Sequence, residues 1–268
     1  MAEQDPLNAW AAVQEIRKRS PLVHNITNYV VMNTSANAIL AIGGSPVMAH
    51  AEEEMADMVA LASVLVINIG TLSREWIKSM FKAAEHAAKR GIPIVLDPVG
   101  AGATPYRTRT VRELVAATRP TIIRGNASEI MALCGDGAKT KGVESTVVSP
   151  DAVGAARSLY GSLGSVICIS GATDYIVGGE EVFRINNGHP MMTRVTGLGC
   201  TATVLCGAFA AVTPDPARAT AQAMAVMGIA GEIAAERAEG PGTLQLYFLD
   251  ALYRLTEDDI IRRIRMES

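Results

Sequence analysis

The chain has 268 residues, enough for one large α/β domain or two small ones. Nearly half of the residues are apolar (49%), aromatics are few (4%), and the net charge of −3 is dispersed over both signs. No basic block points to nucleic acid, no polybasic or long apolar segment points to a membrane, and Cys134, Cys168, Cys200 and Cys206 have neither disulfide-scaffold nor zinc-ribbon spacing.

Residues 1–6 form an acidic, polar start without signal-peptide pattern, so a flexible N-terminus and a cytoplasmic location are expected. Residues 7–19 read as an amphipathic helix. Residues 22–25 make a short strand that runs into a polar turn. Residues 30–42 are helical and stop at Gly43-Gly44. Residues 64–69 are a buried strand; the apolar run 58–69 is too short to cross a bilayer. Residues 73–90 form a long helix with Ile77, Met80, Phe81, Ala84 and Ala87 near one face. The strand 94–96 then delivers Asp97, and 121–123 leads into Arg124-Gly125-Asn126. Residues 135–142 read as a mobile loop rather than a domain boundary. The strand 166–169 delivers Ser170-Gly171. Residues 175–177 and 182–185, joined through Gly178-Gly179, form an antiparallel hairpin at a sheet edge. Helices follow over about 200–211, 216–236 and 246–255. Strands alternating with helices argue for a doubly wound, mostly parallel α/β sheet with helices on both faces. A single domain over 1–268 is the economical reading.

In such sheets ligands bind outside the carboxyl ends of the strands. Polar residues gather there: Asn25 and Asn28, then Asn68, Gly70 and Thr71, then Asp97, then Arg124, Asn126 and Glu129, then Ser170 and Gly171. Carboxylates and amides suit a hard cation, while Arg and backbone N–H groups suit phosphate oxygens. Gly197-Leu198-Gly199-Cys200 opens a helical run, and a glycine-rich helix N-terminus is a natural anion site that would also stabilise a thiolate. Each residue has a plainer alternative. Asp97 can build a turn with Pro98, Asn126 can cap a helix, Glu129 can be a solvated first-turn acid, and Cys200 can be a small buried hydrophobe. His24 reads as a core histidine. P-loop, Rossmann and nucleophile-elbow motifs are missing from the sequence.

Several strings together resemble the hydroxyethylthiazole kinase family, of ribokinase-like fold. They are Pro21-Leu-Val-His-Asn-Ile-Thr-Asn, Gly44-Ser-Pro-Val-Met48, Ile67-Asn-Ile-Gly-Thr71, Leu96-Asp-Pro-Val-Gly100, Arg124-Gly-Asn-Ala-Ser-Glu-Ile130, Gly197-Leu-Gly-Cys200 and Glu239-Gly-Pro-Gly242. The resemblance covers about 20–255 and departs at Leu198 and Ser170, where many or some relatives carry Thr. It implies ATP-dependent phosphorylation, with Mg²⁺, of the primary alcohol of 4-methyl-5-(2-hydroxyethyl)thiazole, in thiamine salvage. It implies that Arg124, Ser170 and Gly171 meet ATP, and that Met48 and Gly197, with Asn25, Gly70 and Thr71, face the thiazole. Asp97, Asn126 and Glu129 would organise the metal. Cys200 stands where ribokinases carry a catalytic Asp and would be the general base, at an anion hole that Gly197 and Gly199 form with it. A homotrimer with sites at subunit interfaces is implied too. Two enzymes of the same fold are alternatives, a hydroxymethylpyrimidine (phosphate) kinase and an ADP- or ATP-dependent NAD(P)H-hydrate dehydratase. A nucleotide-binding regulator is a non-enzyme alternative.

Overall fold

The computed structural model describes residues 5–134 and 150–267. The expected loop 135–142 and the first four residues of the expected flexible start lie outside that range. Asp5, within it, is tied down, accepting hydrogen bonds from the N–H groups of Leu7 and Trp10.

One nine-stranded sheet organises the described residues. Its first six strands are parallel: β1 (Leu22–Ile26), β2 (Ser45–Val47), β3 (Val64–Asn68), β4 (Ile94–Asp97), β5 (Ile122–Asn126) and β6 (Val166–Ser170). The expected hairpin is present as β7 (Asp174–Val177) and β8 (Val182–Ile185), antiparallel to β6 and to each other. A last short strand, β9 (Met266–Glu267), pairs with β8, so the spatial order is β2-β1-β3-β4-β5-β6-β7-β8-β9. The hairpin therefore lies one strand in from that edge. At the other edge, the three-residue β2 is too short and proline-containing to be seen in the sequence.

Side chains alternate across a strand, so each buried strand supplies both faces. Val64 and Val66 join one core, while Leu65 and Ile67 join the other. The second core is covered by α3 (Met55–Leu61), α4 (Arg74–Arg90), α5 (Pro105–Thr118), α6 (Ala127–Leu133) and α7 (Pro150–Leu163). Ser73 caps α4 and the left-handed Gly91 ends it. Its buried face centres on Trp76, Met80, Ala83, Ala84 and Ala87, turned slightly from the expected stripe, with Ile77 and Phe81 at the margin. Trp76 draws the face round by packing on the rings of Tyr29 and His50, at centroid distances of 4.7 and 4.6 Å.

The first core holds α8 (Leu198–Ala210) and α9 (Pro216–Ala235), both buried on nearly every side, as an all-apolar helix must be. α8 lies directly on β1, β3, β4 and β5. Gly207 permits this approach, because a Cβ there would stand 2.7 Å from Val66 Cγ2. Around these helices lie α1 (Ala9–Arg19), α2 (Met32–Ile42), α10 (Pro241–Arg254) and α11 (Glu257–Arg263). α10 starts earlier than its apolar pattern suggests, because Pro241 is preorganised for the first helical position.

Candidate functional site

The two-residue period carries the first core up to the site. Two positions beyond Val23, Val66, Val95, Ile122 and Cys168, on the face covered by α8, stand Asn25, Asn68, Asp97, Arg124 and Ser170. The same alternation that packs the core thus sets five polar residues in a row at the strand ends. The start of α8 lies over the middle of the row, with Gly199 against Arg124 and Thr203 bonded to Asp97.

Asp97 is almost fully buried, at 1% exposure. Its Oδ2 accepts hydrogen bonds from Thr203 Oγ1 of α8 at 2.7 Å and from Asn68 Nδ2 at 3.0 Å. Arg124 Nη1 lies 4.0 Å from the same oxygen. Burial pushes the Asp97 carboxyl up to about 7, with the Arg124 guanidinium, Thr203 and Asn68 pulling the other way. Its Oδ1 is buried without a hydrogen-bond partner among the described residues. Arg124 is itself buried and donates through Nη2 to Ser170 Oγ. Gly199 lies against it: a Cβ there would stand 2.9 Å from Arg124 Nη1, so the guanidinium would have to shift.

The turn that opens α8 has the expected form. Gly197, left-handed at φ 84°, occupies the N-cap position, and no side chain among the described residues caps the helix. The first-turn N–H groups therefore remain for a ligand to satisfy. Any larger residue at 197 would strain the backbone and place a Cβ 2.7 Å from Val31.

Cys200 sits half-buried in this first turn, and its sulfur accepts a hydrogen bond from Asn28 Nδ2 at 3.6 Å. The expectation of an acidified thiol is not met. Burial, with the nearby Asp97 charge, raises the thiol to about 11, against the pull of Asn68, Arg124 and Asn28. Desolvation of the thiolate outweighs its hydrogen bonds.

Asn126 and Glu129 form a capping box at the start of α6. Asn126 Oδ1 accepts from Glu129 N, and Glu129 Oε2 accepts from Asn126 N, each at 2.9 Å. Glu129 Oε1 accepts from Gly100 N at 2.8 Å, so this carboxylate braces the β4 and β5 ends together. Among the described residues, no group of three or more His, Cys, Asp or Glu could hold a metal by itself.

Not every expected contact residue turns inward to this cluster. Asn25 Nδ2 donates back to Val23 O at 2.8 Å, and its Oδ1 is buried without a partner among the described residues. Thr71 Oγ1 accepts from Tyr29 N, and Gly70 packs on Asn28. Met48 is half-buried just past the edge strand β2. His24 is a core residue, fully buried with Nε2 3.0 Å from Ala49 O. The sequence reading missed Thr203 as a partner of Asp97. It also missed Arg107, which binds the carbonyls of Ile69, Val99 and Gly70 and so holds the β3 and β4 ends.

Asp174, at the start of β7, is buried and accepts from Gly171 N at 3.0 Å. Burial raises its carboxyl to about 7, with the Gly171 hydrogen bond and Arg124 opposing. A folded pKa above the unfolded one gives stability that is full in acid and falls as pH rises towards 7. Asp174→Asn is therefore expected to raise the melting temperature at pH 8 and to change it little at pH 4. Equal shifts at both pH values would remove Asp174 as a titrating group.

A protein of Syntrophus aciditrophicus named hydroxyethylthiazole kinase is 64% identical, covering 97% of each chain. A hydroxyethylthiazole kinase structure from Pyrococcus horikoshii OT3 superposes with a TM-score of 0.90 at 44% identity, over 97% of this chain and 98% of that one. A ribokinase-like superfamily protein from Enterococcus faecalis V583 shares the fold, with a TM-score of 0.64 at 15% identity over 86% of each chain. Residues 13–258 match the Hydroxyethylthiazole kinase family, and the chain belongs to it.

Proposed function

We propose that this chain transfers the γ-phosphoryl group of ATP to the hydroxyl of hydroxyethylthiazole. The observation that carries this reading is the uncapped, glycine-opened N-terminus of α8 set against the buried Arg124–Asp97 pair. Phosphoryl transfer passes through a loose transition state, so the protein must mainly position the reactants and match the charge on the phosphoryl oxygens. The α8 N–H groups and Arg124 supply donors and positive charge for those oxygens. Ser170 Oγ accepts a hydrogen bond from the guanidinium and so helps to fix it. Gly171, on the next turn, borders the nucleotide.

The residues fit a magnesium ion that is bound chiefly by phosphate oxygens and water. Asp97 offers a buried oxygen with no partner among the described residues, and Glu129 adds a second negative charge close by. Magnesium commonly takes only one or two protein carboxylates beside nucleotide phosphates. When bound, it would neutralise charge on the transferred group. Asn126, through its capping box, holds Glu129 in place.

Cys200 stands in the first turn of α8, where its sulfur can meet the alcohol. With its thiol protonated at neutral pH, it does not start as a thiolate base. We assign its sulfur the orientation of the alcohol, whose hydroxyl it accepts a hydrogen bond from; as the new P–O bond forms and the bond to the ADP oxygen breaks, the proton leaves late, to an oxygen of the transferred phosphoryl group. A carboxylate would do the same work better. Cys200→Asp is expected to keep or raise turnover, while Cys200→Ala should lower kcat by about ten- to a hundredfold, at or below the usual share of a general base. A folded Asp variant that binds both substrates and is inactive would overturn this role.

In this reading the thiazole ring lies beyond the α8 turn, near Gly197, Gly70 and Thr71, while Asn25, buried and turned back on Val23 O, supports the floor rather than meeting the ring. Met48 lies at the exposed sheet edge, and in a homotrimer it would reach a neighbouring copy's site. Adding hydroxyethylthiazole to enzyme and Mg·ATP should accelerate ADP release. ADP release indifferent to the alcohol would contradict the reading.

A further inference from the structure

Four elements that are distant in sequence meet through two buried asparagines. Asn28 Nδ2 donates to Asn68 Oδ1 at 2.8 Å and to Cys200 Sγ at 3.6 Å, while Asn68 Nδ2 donates to Asp97 Oδ2 at 3.0 Å. A side-chain amide can flip, so the direction of such a chain must be argued. Here backbone N–H groups, which can only donate, decide it. Val30 N donates to Asn28 Oδ1 at 3.1 Å, and Gly70 N donates to Asn68 Oδ1 at 2.9 Å. Both amide oxygens are thereby located. One NH₂ must face Cys200 and Asn68, and the other must face Asp97.

The turn that anchors this chain is built around it. A Cβ at Gly70 would stand 2.5 Å from Asn28 Nδ2 and 2.7 Å from its Cγ, so only glycine leaves Asn28 room. Arg107 holds the carbonyls of Ile69 at 2.9 Å and of Gly70 at 2.7 Å. Asn28 and Asn68 are 4% and 2% exposed, so burying four amide polar atoms is tolerable only because they are paired.

We propose that Asn28 and Asn68 are positioning residues, a one-way amide chain that holds the Cys200 sulfur as a hydrogen-bond acceptor at a set place relative to Asp97. With one sulfur lone pair occupied by Asn28, the remaining face of Cys200 is the one offered to the alcohol. This inference rests on the reading of Cys200 as the residue that orients the acceptor hydroxyl.

A double-mutant cycle separates positioning through Cys200 from simple support of the fold. Asn28→Asp keeps the shape and the oxygen that Val30 N needs, but loses the donors to Cys200 and Asn68. It is expected to lower kcat by about tenfold, with KM for ATP within about twofold. In the Cys200→Ala background the same substitution should cost less than about twofold in kcat. An equal loss in both backgrounds, or a rise in KM for ATP without loss of kcat, overturns the proposal. If Cys200→Ala by itself leaves kcat unchanged, the reading of Cys200 falls, and this proposal falls with it. Should Asn28→Asp not fold by circular dichroism, Asn28→Ser, too short to reach the sulfur, takes its place in the cycle with the same outcomes.

Discussion

Arg124→Ala should both destabilise the fold and weaken ATP binding, and the two effects can be measured apart. Arg124 is buried and stands 4.0 Å from Asp97, whose carboxylate is at 1% exposure. Removing one partner of a buried pair leaves the other uncompensated, at a cost of about 3–5 kcal/mol. Asp97 escapes part of that cost by taking a proton. Loss of the guanidinium raises its folded pKa further, so the destabilisation should grow as pH rises. The melting temperature of Arg124→Ala should therefore drop more at pH 8 than at pH 5. ATP binding loses a charge-assisted contact of about 1.5–3 kcal/mol, or about ten- to a hundredfold in Kd. Arg124→Lys keeps the charge without the fork, so it should recover much of the stability and less of the affinity. Unchanged ATP affinity in either variant would take Arg124 out of the nucleotide site.

Asp97→Asn carries the largest expected effect on turnover. The shape is retained, and one amide oxygen can still accept from Thr203 and Asn68. The other position, now a free carboxylate oxygen, would become an NH₂ donor. A donor replaces an acceptor where the magnesium–phosphate group is proposed to sit. The loss in kcat should be about a hundred- to a thousandfold, as for removal of one preorganised charge-stabilising group. Circular dichroism should still report a folded chain. A folded Asp97→Asn enzyme with turnover near that of the parent would show that this carboxylate does not serve the reaction.

Much of this site was legible because it obeys the strand period. Val66 and Val95 mark the buried face, and that alone places Asn68 and Asp97 on the α8 side. The Gly197–Gly199 turn is a weak signal by itself, since glycine turns before helices are common; it became legible through the polar strand ends and the Arg124–Ile130 string that accompany it. Partnership across the sheet was not legible. Nothing local to Asn28 says that its amide will meet Asn68 and Cys200, because those contacts depend on strand order and on α8 crossing the sheet. Thr203 reads as one more small residue in a buried helix until α8 is set over β4.

The thiol shows where a local rule fails. A helix N-terminus acidifies a cysteine that water can also reach, whereas here desolvation and the Asp97 charge dominate. The capping box at Asn126 and Glu129 is a different case, in which the plainer reading and the functional one are compatible. The same hydrogen bonds that start α6 also hold a carboxylate beside Gly100 and the β4 end. α5 escaped notice because its pattern is polar, although Thr104 followed by Pro105 is a sound start signal.

The most direct test compares acceptors. Initial rates of product formation from Mg·ATP, read by mass spectrometry, give kcat/KM for hydroxyethylthiazole and for hydroxymethylpyrimidine under one set of conditions. A clear preference for the thiazole alcohol is the expected result. Equal or greater efficiency with the pyrimidine alcohol, or no phosphorylated thiazole at all, would contradict it.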